Sequence, residues 1–132
     1  MKTRTRFHLE VIQAVRDAVG AAFPISVRLG GCDYEAGGST VEDCVEACRL
    51  LEHSGVDLFH LTGGMNGFLR PGHGEPGYFQ DLSVPVKQAV HLPVLLTGGV
   101  TTPAQAEALL EEGCADLIGV GRAIFKNPHW AD

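Results

Sequence analysis

The chain has 132 residues, 45% of them hydrophobic and 20% charged, with 17 glycines and 7 prolines, a composition that excludes disordered, collagenous and repeat classes. One domain with its own core is expected at this length, because roughly two-thirds of the unfolded surface can be buried without metal or disulfide staples. Sixteen acidic against ten basic residues give a formal charge of -6 and no basic run, which argues against nucleic-acid and anionic-membrane partners.

No apolar stretch approaches the roughly 20 residues that cross a bilayer, and MKTRTRFHLE lacks the apolar centre of a secretory signal, so the cytoplasm is the expected compartment. The four cysteines then read as reduced thiols.

Phe7, Val11, Val15 and Val19 stand four apart with Ile12 beside them, which predicts an amphipathic helix over 7–19, closed by Gly20. Ile25 to Leu29 reads as a buried strand ended by Gly30 and Gly31. Thr40 and Asp43 form a capping pattern ahead of Val41, Cys44, Val45, Cys48 and Leu51, which recur at helical spacing up to Gly55. Val56 to Leu61 is the next strand, followed by a Gly- and Pro-rich stretch from Thr62 to Gly77. A helix over about 79–90 fits, although Pro85 forbids a regular interior unless it lies near the first turn. Pro93 to Leu96 is a strand ending in Thr97-Gly98-Gly99. Thr102, Pro103 and Gln105 then supply a cap, a first-position proline and a capping-box partner for a helix running to Gly113. Ala115 to Val120 is the last strand, and Gly121-Arg122 opens a short helical turn. Strands alternating with helices predict an α/β domain with a parallel sheet, whose Gly-rich loops follow the strands where barrel enzymes keep their sites.

Consecutive glycines let backbone N–H groups approach an anion, and the helix that follows adds its positive end. Gly98-Gly99 and Gly119-Val120-Gly121-Arg122 are two such places, with Arg122 able to meet a phosphate through two bonds. The competing reading is that these glycines only turn the chain. Arg28, a charge inside an apolar strand, must either be paired with an acid or face a polar centre, where it would favour a ligand that gains negative charge. The stretch from Thr62 through Met65 and Asn66 to Tyr78 is longer than most connections, as lids and binding loops are. Cys44 and Cys48 lie one turn apart but share the apolar stripe, so core packing is expected and not metal. His60 inside a strand reads as a satisfied buried side chain.

The segments RFHLEVIQAVRDAVG, FPISVRLGG, GGSTVED, GVDLFHLTGG and LPVLLTGGVTTPAQAEALLEEGCADLIGVGRAIFKNPHW succeed one another as in the Old Yellow Enzyme family. The chain resembles the C-terminal half of an NAD(P)H:flavin oxidoreductase over nearly its whole length, and GGMNGFLRPGHGEPGYF is similar to the branch related to 2,4-dienoyl-CoA reductases. The resemblance implies a TIM (β/α)8 barrel that binds FMN and moves hydride from a reduced nicotinamide, NADH or NADPH, through the flavin to an activated alkene. It implies that Arg28 lies near the flavin pyrimidine edge and that Gly98, Gly99, Gly121 and Arg122 hold the FMN phosphate.

By the same resemblance this chain supplies the equivalents of barrel strands five to eight. The first four would bring further flavin contacts, the His/Asn or His/His pair that grips a substrate carbonyl, and the proton-donating tyrosine, a role that position does not assign to Tyr34 or Tyr78. Four parallel strands leave two open edges and an uncovered apolar face, so a homo-oligomer or a complementary half-barrel chain is the expected partner. A non-catalytic half-barrel scaffold that does not bind flavin is the alternative. A dihydrouridine synthase-like barrel suits the last two loops but not Met65 to Tyr78, and the acidic charge opposes a tRNA substrate.

Overall fold

A computed structural model describes residues 2–65 and 69–132, and Asn66, from the long stretch singled out above, lies outside them. Helix and strand alternate along the chain: α1 Lys2–Val19, β1 Ser26–Cys32, α2 Val41–Leu51, β2 Leu58–Gly63, α3 Gln80–Ala89, β3 Val94–Thr97, α4 Pro103–Glu111, β4 Leu117–Gly119 and α5 Arg122–Lys126. The strands form one parallel sheet in the order β1-β2-β3-β4, which leaves β1 and β4 at its edges.

Successive strand residues point to opposite faces, and the register sorts them into rows. Leu29, Leu61, Leu96 and Ile118 form one row on the face that packs against the helices, with Val27, Phe59 and Val94 forming the row below. Cys44, Cys48 and Leu51 of α2, Leu82 and Val86 of α3 and Leu109 of α4 close over these rows to make the core. On the opposite face Arg28, His60, Leu95 and Leu117 form a row, with Thr62 and Thr97 nearer the strand ends. That face is therefore mixed and not simply apolar.

Local chemistry fixes the helix starts as expected. Thr40 caps α2 and Thr102 caps α4, each in a reciprocal box with Asp43 or Gln105. Helix α1 differs from its expected orientation. Its stripe of Phe7, Val11, Val15 and Val19 faces outward, with Phe7 73% exposed, while Thr5, Leu9, Ile12 and Arg16 face the protein. The cause is polar: Arg16 donates to the carbonyls of Gly55 (3.0 Å), Gly20 (2.9 Å) and Phe23 (2.6 Å), groups that an apolar row leaves without partners.

Strand β1 runs through Gly30 and Gly31 instead of ending there. A Cβ at Gly31 would stand 2.9 Å from Cys44 Sγ and 3.0 Å from Leu82 Cδ1, and one at Gly30 would stand 3.0 Å from Gly64 Cα, so close approach and not a turn requires both glycines. A register shift between Gly30 and Cys32 marks a bulge there. Pro85 sits inside α3, beyond its first turn, where the sequence argues against a regular interior. It removes one backbone bond, and the burial of Leu82, Ser83 and Val86 holds the helix through that gap. Ser83 Oγ also donates to Cys114 O at 2.7 Å.

The N-terminal edge of the sheet repeats one device. Ile25 N–H donates to Asp57 Oδ2 (2.7 Å) while Asp57 N–H donates to Ile25 O (2.8 Å), and Arg16 from α1 pairs with the same carboxylate at 2.6 Å. Val94 N–H donates to Asp116 Oδ2 (2.9 Å) while Asp116 N–H donates to Val94 O (2.9 Å), and Lys87 from α3 pairs with that carboxylate. The repeating unit is thus two helix-strand pairs long.

Candidate functional site: the C-terminal edge of the sheet

Thr97 of β3 pairs in register with Gly119 of β4, so the loops that begin at Gly98 and Val120 leave the sheet side by side. Gly98 and Gly99 have φ of 107° and 72°, in the left-handed region that favours glycine. A Cβ at Gly98 would lie 2.6 Å from the Tyr78 ring, and one at Gly99 would lie 2.4 Å from Glu75 O. Gly77 N–H donates to Gly98 O at 2.7 Å, so the end of the long β2–α3 loop is pressed against this pair. Gln105 Oε1 accepts from Thr101 N–H (2.9 Å) and Thr102 N–H (3.1 Å), which commits those two donors to the cap of α4 and away from an anion. Trp130 Nε1–H donates to Thr101 O at 2.7 Å and fastens the segment after α5 to the same loop.

Gly121, at the start of α5, differs from Gly98 and Gly99: no atom stands within 4 Å of the place a Cβ would take. Arg122 follows it and is exposed.

Arg28 lies on the uncovered face of β1, exposed, and its Nη2 donates to Thr62 Oγ1 at 3.3 Å. Among the described residues no carboxylate is within ion-pair distance of it. The structural ion pair weighed from the sequence is therefore not formed. His60 is its register partner on β2, and the expectation of a satisfied side chain fails there: Nε2 is buried and has no hydrogen-bond partner. Burial, and secondarily the charge of Arg28, hold the imidazole below the usual histidine range, so it is neutral at pH 7.

The loops around this edge are tied by side chains that the sequence did not single out for the purpose. Asp33 accepts from Ser39 N–H (2.7 Å) through Oδ2 and from Met65 N–H (2.8 Å) through Oδ1, joining the β1–α2 and β2–α3 loops. Those backbone donors, Ser39 first, hold its carboxyl below the usual range. Tyr34, at φ 55°, is the one non-glycine residue with positive φ among those described. Its hydroxyl donates to Asp81 Oδ2 (3.1 Å), its ring stacks on Phe79 at 6.3 Å, and the Arg70 guanidinium sits 5.7 Å over it. Arg70 also donates to Tyr78 O at 2.9 Å and lies 3.5 Å from Asp81. Burial and the Asp81 charge push the Tyr34 phenol up, so it stays protonated as a donor. Cys44 and Cys48 are buried in the core as expected, and all four cysteines are free thiols.

The profile of the NADH:flavin oxidoreductase / NADH oxidase family matches residues 1–132. The chain belongs to that family. It is 39% identical over 131 residues to a metal reductase of Desulforamulus reducens, covering 97% of this chain and 20% of that protein. It is 35% identical over 131 residues to an NADH oxidase of Thermoanaerobacter brockii, covering 96% of this chain and 20% of that protein. Among solved structures, a 2-naphthoyl-CoA reductase complex superposes with a TM-score of 0.83 and 28% identity, over 96% of this chain and 20% of that one. The chain thus spans about a fifth of the length of these relatives. Its parallel sheet, with helices on one face, is part of a (β/α)8 barrel of the kind these enzymes contain.

Proposed function

We propose that the chain is the FMN-holding portion, barrel strands five to eight, of an NAD(P)H-dependent oxidoreductase of the ene-reductase kind. The observation that carries this reading is the placement of two glycine loops on adjacent strand ends, with Arg28 on the same sheet two and three strands away. At about 4.8 Å per strand that is roughly 10–15 Å, a separation suited to a ligand with a phosphate at one end and a ring at the other. The residues present fit FMN. Arg28 is exposed and makes one long bond, which leaves most of its donors for a ligand, and Gly121 borders open space beside Arg122.

In this reading the backbone at Gly98, Gly99 and Gly121, with the Arg122 side chain, holds the phosphate, as barrels of this type hold theirs after their last strands. Arg28 faces the pyrimidine edge of the ring and stabilises negative charge there. Bound FMN supplies the hydride-accepting and hydride-donating chemistry. NADH or NADPH is the reductant, and the acceptor is a small enone-type alkene. A homo-oligomer or a complementary half-barrel chain that covers the β1 and β4 edges and the 92% exposed Phe125 would complete the site.

The second reading, a half-barrel scaffold without flavin, is favoured by one observation: the packing of Gly98 and Gly99 against Tyr78 and Glu75 accounts for those glycines without a ligand. Titration of the purified protein with FMN, read by visible absorption, separates the two. The expected result is a shifted and resolved flavin band with a Kd that Arg122→Ala weakens at least tenfold. An unshifted spectrum selects the scaffold, and an unchanged Kd in Arg122→Ala removes Arg122 from the phosphate site.

A further inference from the structure

Helix α1 carries apolar groups on two sides. Leu9 and Ile12 face the protein, while Phe7, Val11, Val15 and Val19 run along the outside with Ala14 and Ala18 exposed beside them. A surface helix turns its apolar stripe to the core, so a second, outward stripe is a surface built to be covered. The helix leads through exposed Phe23 into β1, whose outer edge is open. At the far side of the sheet the open edge is β4, and around it Leu110, Leu117, Ile124 and Phe125 are exposed. At about 200 Å² for a whole aromatic side chain, each group exposes roughly 400 Å². Together they match the roughly 800 Å² that a stable interface takes from each partner.

We infer that the partner is a second copy of this chain, whose β4 and α5 dock against β1 and the outer face of α1 and double the four strands into a closed barrel. This deepens the proposed function by choosing between its two partners, and it rests on the half-barrel part of that reading. A two-fold axis along the barrel runs all strands the same way, so β4 of one copy meets β1 of the other in parallel and the same seam forms twice. Both open edges are then paired. Helix α1 comes to lie across a junction between strands, as the connecting helices α2, α3 and α4 do within the chain. Stacking α1 on α1 of the copy would cover the stripe but leave Phe125 and both sheet edges bare.

Light scattering after size exclusion of the full protein at micromolar concentration is expected to give twice the 14.1 kDa of one chain. Val15→Asp and Phe125→Asp stand on opposite sides of the seam and outside the core, and each is expected to give a monomer with unchanged helical circular dichroism. Mixing the two variants is expected to restore a dimer, since one seam of the mixed pair carries both aspartates and the other carries none. Should either variant unfold, Val15→Ser and Phe125→Ser carry the same test through a rise of at least about tenfold in the dimer Kd. A wild-type monomer overturns the inference, as does a dimer that Phe125→Asp leaves whole or a mixture that stays monomeric. FMN titration of the same samples keeps the two claims apart: a dimer that binds no flavin ends the flavin reading alone, and a monomer that binds flavin ends this inference alone.

Discussion

The two edges of the sheet obey opposite rules. At the N-terminal edge charged side chains saturate the backbone: Asp57 and Asp116 each receive an N–H from the neighbouring strand and a cation from a helix, and Arg16 also donates to four carbonyls. At the C-terminal edge glycines let the loops press on one another while Asp33, Gln105 and Trp130 tie them, and on the open face below it polar groups are left short of partners at Arg28 and His60. The first arrangement stabilises and the second leaves bonds to be made.

The largest expected break in this comparison is Gly99→Ala. Left-handed backbone costs an alanine about 1–2 kcal/mol, and the new Cβ would meet Glu75 O at 2.4 Å, a contact with backbone that cannot swing away. A loss of about 3 kcal/mol in urea unfolding is expected, with the β2–α3 loop displaced. Retention of wild-type stability would show that this loop does not press on β3. Arg16→Ala comes next, on the opposite edge. The 15% exposed side chain makes charge-assisted bonds to Asp57 and to four carbonyls, and their removal should cost about 2–3 kcal/mol while leaving FMN affinity unchanged. A loss of affinity alongside would mean that the two edges are coupled.

Acid should separate the edges by where stability is lost. The Ile25 N–H first, and then Arg16, hold the Asp57 carboxyl below its ordinary value; at Asp116 burial opposes, and Lys87 with the Val94 N–H outweighs it. Both depressed carboxyls give stability that is whole above about pH 4 and drains as pH falls through their folded values. His60 is also depressed, so its contribution is whole above about pH 6.5 and drains below it, by at most about 1.4 kcal/mol per pH unit for one proton. Urea midpoints from pH 7 to pH 3 should therefore fall in two stages. His60→Leu should flatten the first stage and Asp57→Asn part of the second. A single stage unaffected by His60→Leu would remove the histidine from the account.

What could be read from the sequence follows the range of the forces. The capping boxes at Thr40 and Thr102 are complete within four residues, and both helices start where the sequence places them. The parallel sheet follows from alternation of the same local patterns. The outward turn of the Phe7 stripe could not be read, because its cause is Arg16 meeting Gly55 and Asp57, 39 and 41 residues on. Likewise Gly30 and Gly31 look like a strand end until Cys44, Gly64 and Leu82 are brought against them. Arg28 stood out as a charge inside an apolar strand, and the glycine loops stood out at strand ends. His60 did not, since an unmet hydrogen bond is visible only once every neighbour is in place. A signal was present, however: a histidine in the residue pattern Leu-Phe-His-Leu-Thr occupies the same strand face as Thr62, two positions on.

The smallest expected effect on stability separates two glycines that look alike in sequence. Gly121 has negative φ, -115°, and open space where its Cβ would lie, whereas Gly99 has neither. Packing thus demands glycine at 99 and does not demand it at 121. Gly121→Ala should change unfolding stability by less than about 0.5 kcal/mol. A methyl placed in that space narrows the approach of a phosphate to the first amides after β4, and FMN affinity should fall severalfold. Equal FMN affinity in Gly121→Ala and wild type would leave the open space without a phosphate and shift the binding role to Arg122 alone.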